Sequence, residues 1–238
     1  LEISLLGEAD AVVKTPGTVT VNGKVLYEIA RELSADSVSF QLGKGNRLEI
    51  ESGHTRFKIN GISADEFPNI VGVTLKNRVA VDAQKLFEMF EKTAFCVSAD
   101  ETRFNINGVF VEVVPGKDKQ LIRFVATDGH RLAMIDRPAE GLNVEEQVII
   151  PKKAIQEIKK ALENNEGAAF VDINEGFFSL ESGRTTLGVR LVDGQFPDYR
   201  QVIPLETTTT IDAEKEELLA AVKRVSLLTT DKSRTVKF

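Results

Sequence analysis

Blocks of this chain recur in the same order at a spacing of about 130 residues, and that duplication limits the fold more than composition does. Residues 50–55 read IESGHT and residues 180–185 read LESGRT. Both lead to a Phe-Pro step, Phe67-Pro68 in one copy and Phe196-Pro197 in the other. Upstream, VNGKVLYEIARELS (21–34) answers IPKKAIQEIKKALE (150–163). Val81-Asp82-Ala83-Gln84-Lys85 is matched by Ile211-Asp212-Ala213-Glu214-Lys215, and Asp100-Glu101-Thr102-Arg103 by Asp231-Lys232-Ser233-Arg234. A period of this length is the size of a domain, so the repeat is a duplicated domain and not a stack of short units.

The blocks divide the chain into three expected pieces. Residues 1–75 are the later part of one copy, 76–204 a complete second copy, and 205–238 the opening of a third. Within a copy the pattern reads helix, strands, helix, strands. Asp82 and Asp212 are expected as helix N-caps. Leu86, Phe90, Ala94 and Val97 fall at helical spacing, as do Leu218, Val222, Val225 and Leu228. Ile155, Ile158 and Leu162 give the 150–163 helix its buried stripe, with Pro151 at a favourable first-turn position. Short alternating runs such as FNINGVFVEVV, LIRFVAT and GFFSLES read as strands broken by Gly, Asn and Asp. Each copy is therefore α+β, two helices packed on antiparallel sheet.

Composition excludes several classes. A chain 42% hydrophobic and 28% charged has the make-up of a globular protein. No apolar run approaches the roughly 18 residues a membrane span needs, and no basic-then-apolar leader opens the chain. It begins instead at Leu1 in the strand-like LEISLLG, so a preceding segment is expected. One cysteine, Cys96, rules out an intrachain disulfide and suits a cytoplasmic protein. With two histidines besides, a dedicated Cys/His metal site is not expected. The net charge of −6 argues against a generic DNA-coating protein but permits a local basic surface. No phosphate-binding or nucleophile-elbow motif is present, and Gly43-Lys44-Gly45-Asn46 reads as a hairpin turn between two strands.

Three stretches could carry chemistry. FVATDGHRLAM (124–134) places Thr127, Asp128, Gly129, His130 and Arg131 between apolar runs. Asp128 and His130 could be an acid–base pair, a plain Asp-Gly turn or the rim of a binding site, and no second motif supplies a nucleophile. On the 150–163 helix, Lys152, Lys153, Lys159 and Lys160 lie off the apolar stripe, either as ordinary solvated surface or as a track for phosphates. In the 21–34 helix, Lys24 and Arg31 are balanced by Glu28 and Glu32. Arg103-Phe104-Asn105 sets a cation beside an aromatic in a loop, a pairing that suits nucleic acid, though Phe104 serves equally as core.

ATDGHRLA (126–133), LVDGQFPDYRQVIP (191–204) and the repeat together resemble the bacterial DNA polymerase III β subunit family of sliding clamps, over essentially the whole chain. SADEFPNI (63–70) resembles the first domain's counterpart of the second motif. The resemblance implies three similar domains per chain and two chains closed head-to-tail into a ring around duplex DNA, helices lining the hole. It implies no catalysis, cofactor, metal or membrane. The implied partners are double-stranded DNA without sequence preference, the replicative polymerase, the clamp loader, repair proteins and a second copy of the full-length chain. It also implies that this chain is truncated at both ends. Short linear motifs of partners would dock in a pocket matched here by Ile106, Thr127, Gly129, His130, Arg131, Leu132, Pro197, Gln201 and Val202. Arg103, Phe104 and Asn105 match a loop that contacts duplex, and Lys24, Arg31, Lys152, Lys153, Lys159 and Lys160 would face the hole. Asn105 and Gln201 depart from the aromatic and the arginine usual at those positions. LEISLLG, the first-copy counterpart of the pocket stretch, has no Gly-His-Arg, which marks Thr127 to Leu132 as special to the second copy.

Overall fold

A computed structural model describes residues 2–70, 73–139, 141, 147–174, 176–204 and 206–228. The chain forms two compact units, Leu1–Pro197 and Asp198–Phe238. The first opens with β1 (Ile3–Gly7), α1 (Gly23–Glu32), β2 (Ser39–Leu42), β3 (Arg47–Ser52) and β4 (Thr55–Asn60). It continues through β5 (Val79–Asp82), α2 (Ala83–Glu91), β6 (Gly108–Pro115), β7 (Gln120–Thr127), β8 (Leu132–Pro138) and β9 (Val148–Pro151). It closes with α3 (Lys152–Glu163), β10 (Ala168–Asn174), β11 (Phe177–Ser182) and β12 (Thr185–Arg190). Among the described residues every strand pairing is antiparallel, in sheets ordered β2-β3-β4, β8-β7-β6-β9 and β1-β12-β11-β10-β5. This is the α+β architecture expected of each copy.

Two of the repeated blocks fold alike. Ser52 pairs with Thr55 and Ser182 with Thr185, so each ESG block is a two-residue hairpin loop. Its glycine comes first and has positive φ, +57° at Gly53 and +60° at Gly183, the pattern of a type II′ turn. Gly43–Asn46 is likewise a hairpin connection, between β2 and β3, with Gly45 and Asn46 both at positive φ.

The main core lies where α2 and α3 meet the two larger sheets. Leu86, Met89 and Phe90 of α2 pack with Ala154, Ile155, Ile158 and Leu162 of α3, and with Val109, Phe124, Val171 and Leu187 from the strands. Phe90 meets Phe124 edge-to-face at 4.9 Å, a favoured aromatic geometry. A smaller core of Leu48, Ile50 and Ile59, flanked by Leu26 and Ile29 of α1, serves the first copy.

Helix ends depart from the sequence pattern in three places. Asp82 caps α2 as expected, accepting from the Lys85 N–H at 3.0 Å. Asp212 does not cap α4 (Lys215–Ser226); Glu214 stands at the N-cap, without a side-chain bond. α2 stops at Glu91, and the Thr93 hydroxyl donates to the Met89 carbonyl at 2.8 Å. Ala94 and Val97 therefore lie beyond the helix, around a 3₁₀ turn Ala94–Cys96. Pro151 is the residue before α3 and ends β9, one step outside the expected first turn. The stripe on α4 is not buried: Leu218, Val225 and Leu228 are all exposed. Asp231 to Arg234 lie outside the described residues.

One strand pairing joins residues on either side of position 75. β1 pairs with β12 from Ile3–Val189 to Gly7–Thr185, extending the β12-β11-β10-β5 sheet with the chain's first strand. Asp172, buried on β10, accepts from the backbone N–H groups of Lys76 at 2.6 Å and Asn77 at 3.0 Å, and from the Asn174 amide. These donors satisfy a carboxylate that would otherwise be costly to bury. Replacing Ile158 by Ala is expected to cost about 2–5 kcal/mol in urea unfolding, because its methyls are lost from a closed core. Leu228→Ala should change stability by less than about 0.5 kcal/mol, as for other surface truncations.

Candidate functional site: a four-residue turn and the loop beside it

β7 and β8 pair as far as Thr127–Leu132, leaving Asp128, Gly129, His130 and Arg131 as the loop. The loop is held by its own polar groups. Thr127 Oγ1 donates to the Arg131 carbonyl at 2.8 Å and accepts from the Gly129 N–H at 3.1 Å. Asp128 Oδ1 accepts from the N–H groups of His130 (3.0 Å) and Arg131 (3.1 Å), while Oδ2 accepts from Arg131 Nε at 3.0 Å. The His130 N–H, then that of Arg131, and the Arg131 side chain hold the Asp128 carboxyl down at about 2. That carboxylate is an Asx-type cap, as short acidic side chains favour in turns. It engages the backbone of His130, not the imidazole, so the Asp–His acid–base alternative has no geometric support. His130 itself is exposed.

Arg131 reaches away from the turn. Its Nη2 donates to the Phe95 carbonyl at 2.8 Å, and the guanidinium lies 5.7 Å from the Phe95 ring centre. Phe95 is exposed and was not marked by any sequence signal, because its spacing placed it within a helix. Arg103 approaches the turn from the other loop, its Nη1 donating to the Asp128 carbonyl at 3.3 Å. Gly129 has φ +91°, which favours glycine, and a Cβ there would sit 3.1 Å from Arg103 Nη2, a contact the flexible arginine can relieve by a small shift.

Residues 104–106 form a 3₁₀ turn whose members point to different fates. Phe104 is exposed at 57%, and its ring edge lies where a Cβ on Gly194 would come within 2.9 Å. Asn105 Nδ2 donates to the Gln195 carbonyl at 3.4 Å. The Arg103–Asn105 loop thus touches the GQFP stretch, where Phe196 stacks on Phe110 at 4.7 Å. Ile106 is in the interior at 1% exposure, beneath the surface rather than on it. Leu132 is half-buried and Pro197 exposed at the end of the first unit. In the second unit Gln201 and Val202 are exposed on the 3₁₀ turn Tyr199–Val202, and Gln201 Nε2 donates to Asp198 Oδ2 at 3.0 Å.

The helix cations are already engaged within the chain. Lys159 pairs with Glu91 and lies 5.6 Å from the centre of the Phe87 ring. Lys160 pairs with Glu157 at 2.9 Å, Lys153 with Glu101 at 3.8 Å, and Lys152 Nζ donates to the Ser98 carbonyl at 3.4 Å. On α1, Lys24 lies 3.9 Å from Glu28, and Arg31 sits 5.7 Å from the Tyr27 ring centre. Among the described residues no group of His, Cys, Asp or Glu could hold a metal ion, and no helix is long and apolar enough to cross a membrane.

Comparison with known proteins places this geometry. Residues 80–198 match the family model of the DNA polymerase III beta subunit, central domain, and residues 1–71 match that of its N-terminal domain. The beta sliding clamp of Caulobacter vibrioides (strain NA1000 / CB15N) is 36% identical over 241 residues, covering 100% of this chain and 64% of that protein. A crystal structure of the C. crescentus beta sliding clamp superposes with a TM-score of 0.90 at 33% identity, over 98% of this chain and 62% of that one. A sliding clamp from Bartonella birtlesii, bound to griselimycin, gives 0.87 at 32% identity over 98% and 63%. The chain belongs to the DNA polymerase III beta subunit family and spans a little under two thirds of these relatives.

The turn generates two expectations. Gly129→Ala should cost about 1–3 kcal/mol in denaturant unfolding, from a side chain forced into positive φ. The Asp128 carboxyl is lowered relative to its ordinary 3.8, so its contribution is fully present above about 4 and lost as pH falls through about 2. A carboxyl NMR titration should put its midpoint near 2; a midpoint near 4 would mean the cap does not form.

Proposed function

We propose that this chain is part of a ring-shaped sliding clamp, a non-catalytic processivity factor that encircles duplex DNA and tethers the replicative polymerase. The likeness of nearly the whole chain to the C. crescentus clamp, at a TM-score of 0.90, carries the reading. In it, residues 1–75, 76–204 and 205–238 fall to successive clamp domains, and the natural polypeptide pairs with a second copy to close the ring. A heterologous head-to-tail contact closes in this way when its rotation allows. The protein works in the cytoplasm, without a cofactor.

An acidic protein can do this because enclosure replaces affinity. A ring needs only weak, salt-sensitive attraction to phosphates, and the paired cations Lys24, Arg31, Lys152, Lys153, Lys159 and Lys160 supply that, with Arg103, Phe104 and Asn105 touching the duplex. The reading assigns Thr127, Gly129, His130, Arg131 and Leu132, with Pro197 and the buried Ile106, to a wall where linear motifs of polymerase, clamp loader and repair proteins dock; Gln201 and Val202 lie in the second unit. It also assigns griselimycin, the ligand of the B. birtlesii clamp, to this wall. The test uses the natural polypeptide with any flanking sequence retained. Loaded on nicked circular DNA, it should stay through gel filtration and run off once the circle is cut; equal loss from both forms would refute enclosure.

A further inference from the structure

One arginine joins two surfaces that the proposed function assigns to different partners. Arg103 leads into the duplex-facing 3₁₀ turn, yet its guanidinium rests on the partner-facing one, at the Asp128 carbonyl and against Gly129. That arrangement leaves its charge without a direct ion pair. Among the described residues no carboxylate lies within ion-pair distance of it: Asp128 gives its carboxylate to Arg131, and Asp100, held by the hydroxyl and N–H of Thr102, feels the Arg103 charge without bonding to its guanidinium. A neutral carbonyl at 3.3 Å is a weak acceptor for a guanidinium, whereas a phosphate accepts two short charge-assisted bonds. The side chain is exposed, so a phosphate can reach it without unfolding anything.

We propose that Arg103 couples the two surfaces. It braces the Asp128–Arg131 turn while DNA is absent and moves to a phosphate when duplex occupies the ring. The carbonyl of Asp128 then loses a donor and Gly129 loses its neighbour, so DNA occupancy loosens the turn and weakens partner docking. Linkage requires the reverse effect to be equal: an occupied partner wall weakens the duplex contact by the same factor. Arg103 is a positioning residue here, acting on docking through the turn. This inference rests on the proposed assignment of the 103–105 loop to DNA and of the 127–132 turn to partners.

The natural polypeptide tests it, with labelled griselimycin as the docking probe and a short linear duplex as the DNA. In the wild type, saturating duplex should weaken griselimycin binding roughly fivefold or more, the lower end of ordinary coupling. R103A should bind griselimycin about as weakly without DNA as the wild type does with it, and should show no further change when duplex is added. Hydrogen exchange of residues 127–132 should quicken on adding duplex to the wild type and be fast in R103A from the start. Griselimycin affinity equal in R103A and wild type overturns the proposal, and so does turn exchange that ignores duplex. The exchange readout stands without griselimycin: a protein that fails to bind the drug contradicts the docking assignment, while duplex-insensitive exchange contradicts the coupling.

Discussion

Two amphipathic helices, α2 and α3, supply the apolar side chains over which two antiparallel sheets close, and the rest of the first unit is arranged by that closure. Ile158 and Leu162 are fully buried in it, and Phe90 meets Phe124 edge-on. Once β6 and β7 are fixed against the helices, β7 must hand over to β8 at Thr127, and the turn at 128–131 appears at the sheet's end. The adjoining 3₁₀ turn at 104–106 is set by Ile106, drawn into the interior just before β6 begins. The two loops that carry the proposed chemistry are therefore placed by a core to which their exposed residues do not contribute.

Charge is distributed with the same economy. The lysines of α3 are balanced by Glu91, Glu101 and Glu157, so the helix presents a damped field rather than a bare basic track. Such pairs contribute little to stability when exposed. A carboxylate neighbour lowers the attraction each lysine can offer a phosphate, which suits the weak, salt-sensitive attraction that the proposed function needs. The carboxylate of Asp128 is treated differently, with its oxygens committed to N–H groups inside one turn.

Local patterns were legible in the sequence and distant partnerships were not. The Gly43–Asn46 hairpin, the Asp82 cap and the Ile155–Ile158–Leu162 stripe follow from turn chemistry and period, and each is present. The helix ends were less legible: periodicity carried the α2 stripe on to Ala94 and Val97 because a 3₁₀ turn keeps apolar residues nearly in phase. Likewise Asp212 has the right chemistry for a cap, but the helix starts three residues later. The hold of Arg103 on Asp128 joins residues 25 apart, and the lysine partners Glu91 and Glu101 come from a different segment. Period and composition hold no record of such pairings. The family resemblance named the same loops, yet it could not show that one side chain spans both.

The ladder between β1 and β12 also has a consequence in time. Ile3 finds its partner only when Val189 has been made. At about 5–20 residues per second, a separation of roughly 180 residues leaves β1 waiting some 10–40 s on the ribosome. Throughout that interval the strand's backbone is an open edge, the feature most prone to pairing with the wrong chain. The same ladder makes the fold rich in distant contacts, which slows folding even after release. A chain of repeated blocks could fold one block at a time, but here the first strand stays unpaired until β12, near the end of its unit, exists.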